Sequence, residues 1–164
     1  MPNLAELNAL DREEFTHLVG PVFEHSPWVA ERSWDARPFT TREQLHAALC
    51  ETVRRASAAE QLSLIRAHPD LVGRAILTRA SQAEQASAGL GDLTPDEVAF
   101  FERSNRAYRE RFGFPFVICA RLNKKDAILA AFPGRLRHSP EKEIETALEE
   151  IYKIADLRLR DLVS

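Results

Sequence analysis

Residues 94–113 read TPDEVAFFERSNRAYRERFG and carry the pattern of one complete amphipathic helix. Thr94 stands three positions before Glu97, the spacing at which both side chains accept hydrogen bonds from free N–H groups of a first helical turn. Pro95 suits the first helical position, and Gly113 permits a left-handed stop. The apolar positions between these ends follow helical spacing: Val98, Phe101, Tyr108 and Phe112. The stretch therefore predicts an α-helix with both ends marked.

Similar signals recur along the rest of the chain. Three more pairs place a capping residue three positions before a carboxylate: Asp11 with Glu14, Thr40 with Glu43, and Ser57 with Glu60. Residues 124–137 are apolar at helical spacing, and Ser139-Pro140 opens a long final helix. Residues 114–120, FPFVICA, form a lone strand-like run without a partner strand for its backbone groups. We therefore predict an all-α, single-domain bundle of about six to eight helices over residues 1–164, with one buried irregular segment near 114–120.

The composition excludes several classes of function. With 22 Lys and Arg against 25 Asp and Glu, the formal charge is −3, so no basic field attracts the chain to nucleic acid or to an anionic membrane surface. Cys50 and Cys119 lack CxxC spacing, which disfavours a disulfide framework or a thiolate zinc site. We find no signal peptide, no membrane-spanning stretch and no peroxisomal signal. We expect a cytoplasmic protein with no nucleic-acid or membrane partner.

Four places differ from a plain helical bundle, and the first is His68-Pro69. Because proline disfavours the α conformation of the residue before it, His68 should lie at a helix end with a constrained backbone. A histidine fixed at a cavity wall, with an ordinary pKa of about 6.5, can both give and take a proton at neutral pH. The competing interpretation, which spacing alone favours, is a helix C-terminal histidine that the helix dipole stabilises.

The second place is Ser81-Gln82-Ala83-Glu84-Gln85. By itself, the spacing of Ser81 and Glu84 indicates one more capping box. A ligand site is compatible with that interpretation, because a helix N-terminus offers free N–H donors and a positive dipole end to a polar or anionic ligand. Gln85 would add an amide with donor and acceptor capacity.

The third place is Phe116-Val117-Ile118-Cys119-Ala120, within the buried irregular run. Its backbone groups need hydrogen-bond partners, which a small amide-rich ligand and neighbouring core side chains can supply equally well. Cys119 is more readily a small apolar residue here than a nucleophile.

Arg158 is the fourth place. At about 100° per residue with Ile144 at zero, Arg158 falls at about 320°, inside the apolar face of the last helix, whereas Arg160 at about 160° points to the polar side. A guanidinium directed at a core must meet an anion or several acceptors. The anion is either an internal carboxylate, with Glu84 as a candidate, or the carboxylate of a ligand.

These segments resemble those of a known family in their order along the chain. The matching stretches are WDARPF at 34–39, HPDLVG at 68–73, LT at 77–78 through Ser81, EQ at 84–85, AGL at 88–90, Asn105 with Tyr108, FGFPFV at 112–117 and KIADLRL at 153–159. Over most of its length the chain thus resembles the 2-oxo-4-hydroxy-4-carboxy-5-ureidoimidazoline (OHCU) decarboxylases.

The resemblance implies an all-helical homodimer that converts OHCU to (S)-allantoin, the last step from urate, without a metal or another cofactor. It implies that His68 and Glu84 are catalytic. The substrate contacts that it implies are Pro69, Ser81, Gln82, Ala83, Glu84, Gln85, Phe116, Val117, Ile118, Cys119, Ala120 and Arg158. Because eukaryotic members often end in a peroxisomal signal, the last residues suggest a bacterial, cytoplasmic version.

The implied chemistry assigns a role to each charged residue. Loss of carbon dioxide leaves an electron pair that the adjacent ring C=N of the substrate can receive, so the substrate carries its own electron sink. His68 would act as general acid and base. Glu84 would hold ureido or ring N–H groups or share the proton work. Arg158 would bind the carboxylate side of the substrate or lock Glu84.

Two other classes of protein fit less well. A non-catalytic helical interaction module suits the composition but gives no reason for an arginine on an apolar face together with His-Pro at a helix end. A metal-dependent hydrolase lacks its usual signature, because the five histidines contain no HxxxH or HExxH spacing.

Overall fold

The computed structural model describes residues 1–73 and 77–164. In these two ranges the chain forms nine α-helices and no strand. The helices are α1 Leu4–Ala9, α2 Arg12–Val19, α3 Trp28–Ser33, α4 Arg42–Arg55, α5 Ala58–Arg66, α6 Arg79–Ser87, α7 Pro95–Phe112, α8 Lys125–Leu136 and α9 Pro140–Leu162. The all-α prediction is confirmed. The helices outnumber the predicted six to eight because α1 and α3 have six residues each and are too short to show apolar periodicity.

Most helix ends lie where the capping patterns predict them. Asp11, Ser57 and Thr94 are the N-caps of α2, α5 and α7, and each side chain accepts a hydrogen bond from the N–H three residues later. Gly113 ends α7 in the left-handed conformation, with φ of 77°. These ends therefore depend on local sequence, because each capping residue satisfies free backbone groups of its own terminal turn.

Helix α4 begins one residue later than predicted. Its N-cap is Thr41, whose hydroxyl accepts from the N–H of Gln44, and the Gln44 side chain in turn accepts from the N–H of Thr40 at 2.9 Å. The prediction that Thr40 pairs with Glu43 is wrong, because two successive threonines offer two registers and the second also gains this reciprocal amide contact.

The described residues divide into two compact units, Met1–Ala67 with Tyr152–Ser164, and His68–Ile151. In the first unit, α3 packs against α2 and α4. Its core contains Leu7, Phe15, Val19, Leu45, Leu49, Val53, Leu64 and Ile65, all fully buried. The N–H of Ser164 donates to the carbonyl of Pro2 at 3.1 Å, so the two ends of the chain are in contact.

The second unit is built around aromatic side chains. Phe116 and Phe132 stack with ring centroids 4.0 Å apart, and the ring of Tyr108 meets that of Phe116 edge-on at 5.4 Å. Residues 114–120 are buried; residues 114–119 belong to no helix or strand, and Ala120 begins a 3-10 turn. The prediction of a buried irregular segment is therefore confirmed. In the parts of the chain that are described, each helix is too short or too polar to cross a membrane.

Candidate active site

His68 lies directly beyond the end of α5, with Ala67 as the helix C-cap. Only 7% of the surface of His68 is exposed to solvent. The predicted place at a helix end is confirmed, and Pro69 then starts a loop that leaves the helix. The side chain of His68 is therefore largely shielded from solvent.

Two amide side chains hold the loop that follows His68. The side-chain carbonyl of Gln85 accepts from the N–H of Val72 at 3.2 Å, and Asn105 donates to the carbonyl of Leu71 at 2.8 Å. Because Gln85 belongs to α6 and Asn105 to α7, the loop is attached to both helices. The amide that we expected to contact a ligand therefore also supports the loop.

The polar segment 81–85 lies inside α6 instead of beginning it. The N-cap is Thr78, whose hydroxyl accepts from the N–H of Ser81 at 3.2 Å, so the interpretation of Ser81 as a capping residue is wrong. Helix α6 thus begins at Arg79, about one turn before the polar segment, and Thr78 is its capping residue. Ser81 and Gln85 are buried, Glu84 is half-buried, and the two residues between them, Gln82 and Ala83, are exposed. One face of α6 thus directs polar side chains inward.

The irregular segment 114–120 obtains part of its hydrogen bonding from core side chains. Arg135 donates to the carbonyl of Val117, and the N–H of Cys119 donates to Glu150 at 3.1 Å. The 3-10 turn Ala120–Leu122, which continues the segment, packs against α6. The two predicted contact segments, 81–85 and 116–120, therefore lie on neighbouring elements of the second unit.

Cys119 is a buried thiol. Burial raises its pKa, and the negative charges of Glu150 and Glu84 raise it further. A thiol with a raised pKa stays protonated at neutral pH and is a poor nucleophile. This supports the interpretation of Cys119 as a small apolar residue.

Arg158 belongs to the first unit and lies in the buried face of α9, with 7% of its surface exposed. Its guanidinium contacts Glu24 at 2.7 Å and the carbonyl of Pro21 at 3.3 Å. The prediction of a buried guanidinium is confirmed. The internal carboxylate is Glu24, which the sequence analysis did not consider, whereas the candidate Glu84 belongs to the other unit.

Arg135 is a buried charge that was not predicted from the sequence. With Ile128 at zero and about 100° per residue, Phe132 falls at about 40° and Arg135 at about 340°, so the same count that singled out Arg158 would have found it. Its carboxylate partner is Glu143, which is fully buried. Glu150, also buried, had no signal in the sequence, because its position on α9 lies at about 240°, outside the predicted apolar face.

Within residues 1–73 and 77–164, no group of three or more His, Cys, Asp or Glu side chains is arranged to hold a metal ion. Arg135 and Glu150, which contact the irregular segment, offer hydrogen bonds and charge. Groups of this kind orient a small polar molecule and move protons on it.

In the described residues, the fold is that of an all-α protein whose buried irregular segment is held by polar side chains. Comparison with known proteins identifies its family. The family model described as OHCU decarboxylase matches residues 8–160. The chain is 47% identical to the 2-oxo-4-hydroxy-4-carboxy-5-ureidoimidazoline decarboxylase of Haloferax volcanii, covering 98% of this chain and 96% of that one. The corresponding protein of Halalkalicoccus jeotgali is 46% identical over 96% and 89%.

A solved structure supports the same relationship. The crystal structure of an (S)-allantoin synthase superposes with a TM-score of 0.81 at 33% identity, covering 100% of this chain and 54% of that chain. This chain therefore belongs to the OHCU decarboxylase family.

Proposed function

We propose that this chain catalyses the cofactor-independent, stereoselective decarboxylation of OHCU to (S)-allantoin, the last step of urate oxidation in purine catabolism. The observation that carries the proposal is the 47% identity, over nearly the whole of both chains, to a protein named for that decarboxylation. The product is supported by the 33% identity to an (S)-allantoin synthase.

The reaction needs little beyond orientation and proton transfer. Breaking the bond to the carboxylate releases carbon dioxide and leaves its electron pair on the ring carbon that bears the hydroxyl. The adjacent C=N accepts this pair, and its nitrogen takes up a proton. The resulting enol then gives up its hydroxyl proton and becomes a carbonyl, while the neighbouring ring carbon is protonated. His68, buried at the end of α5, polarises or deprotonates the hydroxyl and manages the arriving proton as general acid and base. A fixed direction of protonation gives one enantiomer.

The other site residues orient the substrate in this proposal. Glu84 holds ureido or ring N–H groups, with Ser81 and Gln85 on the same inward face of α6. Pro69, Gln82 and Ala83 complete the contacts that the family resemblance implies.

In the irregular segment, the contacts come from the backbone groups of Phe116, Val117, Ile118, Cys119 and Ala120. The Cys119 N–H is already donated to Glu150. The Val117 carbonyl likewise accepts from Arg135. Substrate amides are therefore read by the remaining backbone groups of this segment.

Arg158 binds the carboxylate side of the substrate. Glu24 and the Pro21 carbonyl contact different nitrogens of its guanidinium, which fixes the plane of the fork. A planar fork held in this way is suited to paired hydrogen bonds with a carboxylate.

The proposed enzyme has a simple organisation. It functions as one domain, in the cytoplasm and as a homodimer, without a metal or another cofactor. The family resemblance supports the homodimer, and light scattering coupled to size-exclusion chromatography tests it by giving the mass of the particle, which for a dimer is twice 18.6 kDa.

The activity is tested with freshly generated OHCU. The chain should accelerate formation of allantoin with the optical activity of the (S) enantiomer, whereas uncatalysed decay gives a racemate. A chelator should leave the rate unchanged. No acceleration would contradict the activity, and a racemic enzymatic product would contradict protonation from one fixed direction.

A further inference from the structure

The carboxylate of Glu143 is fully buried at the start of α9 and lies among three polar side chains. Its Oε1 accepts from the Tyr108 hydroxyl at 2.5 Å and from Arg135 Nε at 2.5 Å. Its Oε2 lies 3.0 Å from Nδ1 of His138. Burial and the contact with Glu143 raise the pKa of Tyr108, so the hydroxyl keeps its proton and remains a donor. Glu143 is thus locked in one orientation.

Arg135 connects this carboxylate to the irregular segment. One side of the guanidinium meets Glu143, while Nη1 donates to the carbonyl of Val117 at 2.5 Å. The guanidinium also stacks over the ring of Phe116, 4.1 Å from its centroid. An arginine is suited to this task because its planar fork serves two acceptors while its face covers an aromatic ring.

The segment depends on such contacts because it has no strand partner among residues 1–73 and 77–164. A buried backbone without a ladder must obtain its hydrogen bonds from side chains. Arg135 engages the carbonyl of Val117, and Glu150 engages the N–H of Cys119. The two attachment points bracket Ile118, in the middle of the predicted substrate contacts.

We infer that Arg135 is a positioning residue, which sets the backbone of residues 116–120 at the place where the substrate is read. Glu143 and Tyr108 act through Arg135 by holding its guanidinium. The inference rests on the proposed function, because it assigns these residues to the binding of OHCU.

A purely structural ion pair would behave differently in kinetics. Loss of stability lowers the fraction of folded enzyme, which reduces the apparent kcat and leaves KM unchanged. Displacement of backbone groups that bind the substrate before and during reaction raises KM and changes kcat little. The ratio of the two effects therefore separates positioning from stability.

The first variant is Arg135→Lys, which retains the positive charge and loses the fork. We expect KM for OHCU to rise roughly ten-fold, with kcat changed less than three-fold. A ten-fold rise corresponds to about the free energy of one hydrogen bond to a charged group. Arg137→Lys, two positions later and exposed, is the matched control and should leave both constants unchanged. Measurements belong well below the melting temperature of each variant.

A second variant covers the case in which Arg135→Lys does not fold. Arg135→Met combined with Glu143→Gln removes both charges together, and the amide still accepts from Tyr108. Exchanging a buried ion pair as a whole avoids the uncompensated charge that a single substitution leaves. This protein should fold and should again raise KM, because the contact with the Val117 carbonyl is gone.

The outcomes separate the two proposals. Inactive wild-type enzyme would overturn the proposed function itself. With active wild-type enzyme, unchanged KM in a folded Arg135→Lys, or in the double variant where the single one does not fold, would overturn the positioning role. A fall confined to kcat, in proportion to the unfolded fraction, would overturn it as well.

Discussion

Arg158 in α9 and Arg135 in α8 present the same physical problem in two regions of the molecule. Each is 7% exposed, each pairs with a buried glutamate, and each also donates to a backbone carbonyl. They differ in what surrounds the pair. The carbonyl and carboxylate that Arg158 contacts, Pro21 and Glu24, are three positions apart in one short stretch. The partners of Arg135 come from two separate stretches: Glu143 at the start of α9, and the Val117 carbonyl with the ring of Phe116 in the irregular segment.

This difference shows that burial of an arginine on an apolar helix face does not by itself identify a substrate contact. Burial demands acceptors, and the core can supply them entirely. What distinguishes the two arginines is the object that each one holds: Arg135 holds a backbone segment, and we propose that Arg158, aligned from one side by Glu24, holds the substrate.

The largest expected effect on activity comes from His68, because His68 transfers protons in the proposed reaction and neither arginine does. Its variant is the reference against which the two arginines are compared. Replacement of His68 by Asn should lower kcat by about 10²- to 10⁴-fold, the usual contribution of general acid–base catalysis. Folding should be retained, as judged by far-ultraviolet circular dichroism and the melting temperature. His17→Asn, at an exposed position of α2, is the control and should keep its activity. Near wild-type turnover of His68→Asn would exclude the proton-transfer role.

Glu143 tests the stability side of the comparison. Glu143→Ala leaves Arg135 with an uncompensated buried charge, and the free energy of unfolding should fall by about 3–5 kcal/mol. Urea or thermal denaturation measures this loss. Glu145→Ala, two positions later, removes a carboxylate that is 61% exposed and should have little effect. Equal stability of the two variants would contradict the stabilising role of the buried Glu143 carboxylate.

Arg158 tests the functional side. Arg158→Lys retains the charge but loses the planar fork, so kcat/KM should fall by about 10- to 100-fold while the protein stays folded. Arg160→Lys is the matched control, since Arg160 is exposed and pairs with Asp156 on the same helix. If Arg158 serves only its pair with Glu24, activity will instead follow the folded fraction, and a folded Arg158→Lys with unchanged kcat/KM would exclude substrate binding.

The exposed pair of Arg32 and Glu60 should give the smallest effect. The hydrogen bond from Arg32 lowers the pKa of Glu60 from 4.5 to about 2, helped by the N–H of Ser57. Because the folded-state pKa is depressed, the contribution to stability is present above about pH 4.5 and is lost as the pH falls toward 2. The difference in melting temperature between wild type and Glu60→Gln should therefore be small at pH 7 and vanish near pH 2. A difference that stays constant with pH would show that the ionised carboxylate contributes nothing.

Local sequence was sufficient for much of the fold. The capping pairs at Ser57 and Thr94 and the glycine at 113 follow from residues within a few positions of one another. The burial of Arg158 follows from the periodicity of its own helix. The two errors, at Thr40 and Ser81, arose where more than one capping residue competed for the same helix start.

The site required contacts between distant parts of the chain. Glu24 meets Arg158 from 134 positions away, and Asn105 holds the loop after His68 from 34 positions away. Nothing in a local pattern indicates which of the 25 acidic residues will face a buried arginine, or which amide will hold a loop. Periodicity tells which side chains turn inward, but the partner that each one meets is selected only when the helices pack, since buried polar groups must then find one another to offset the loss of water.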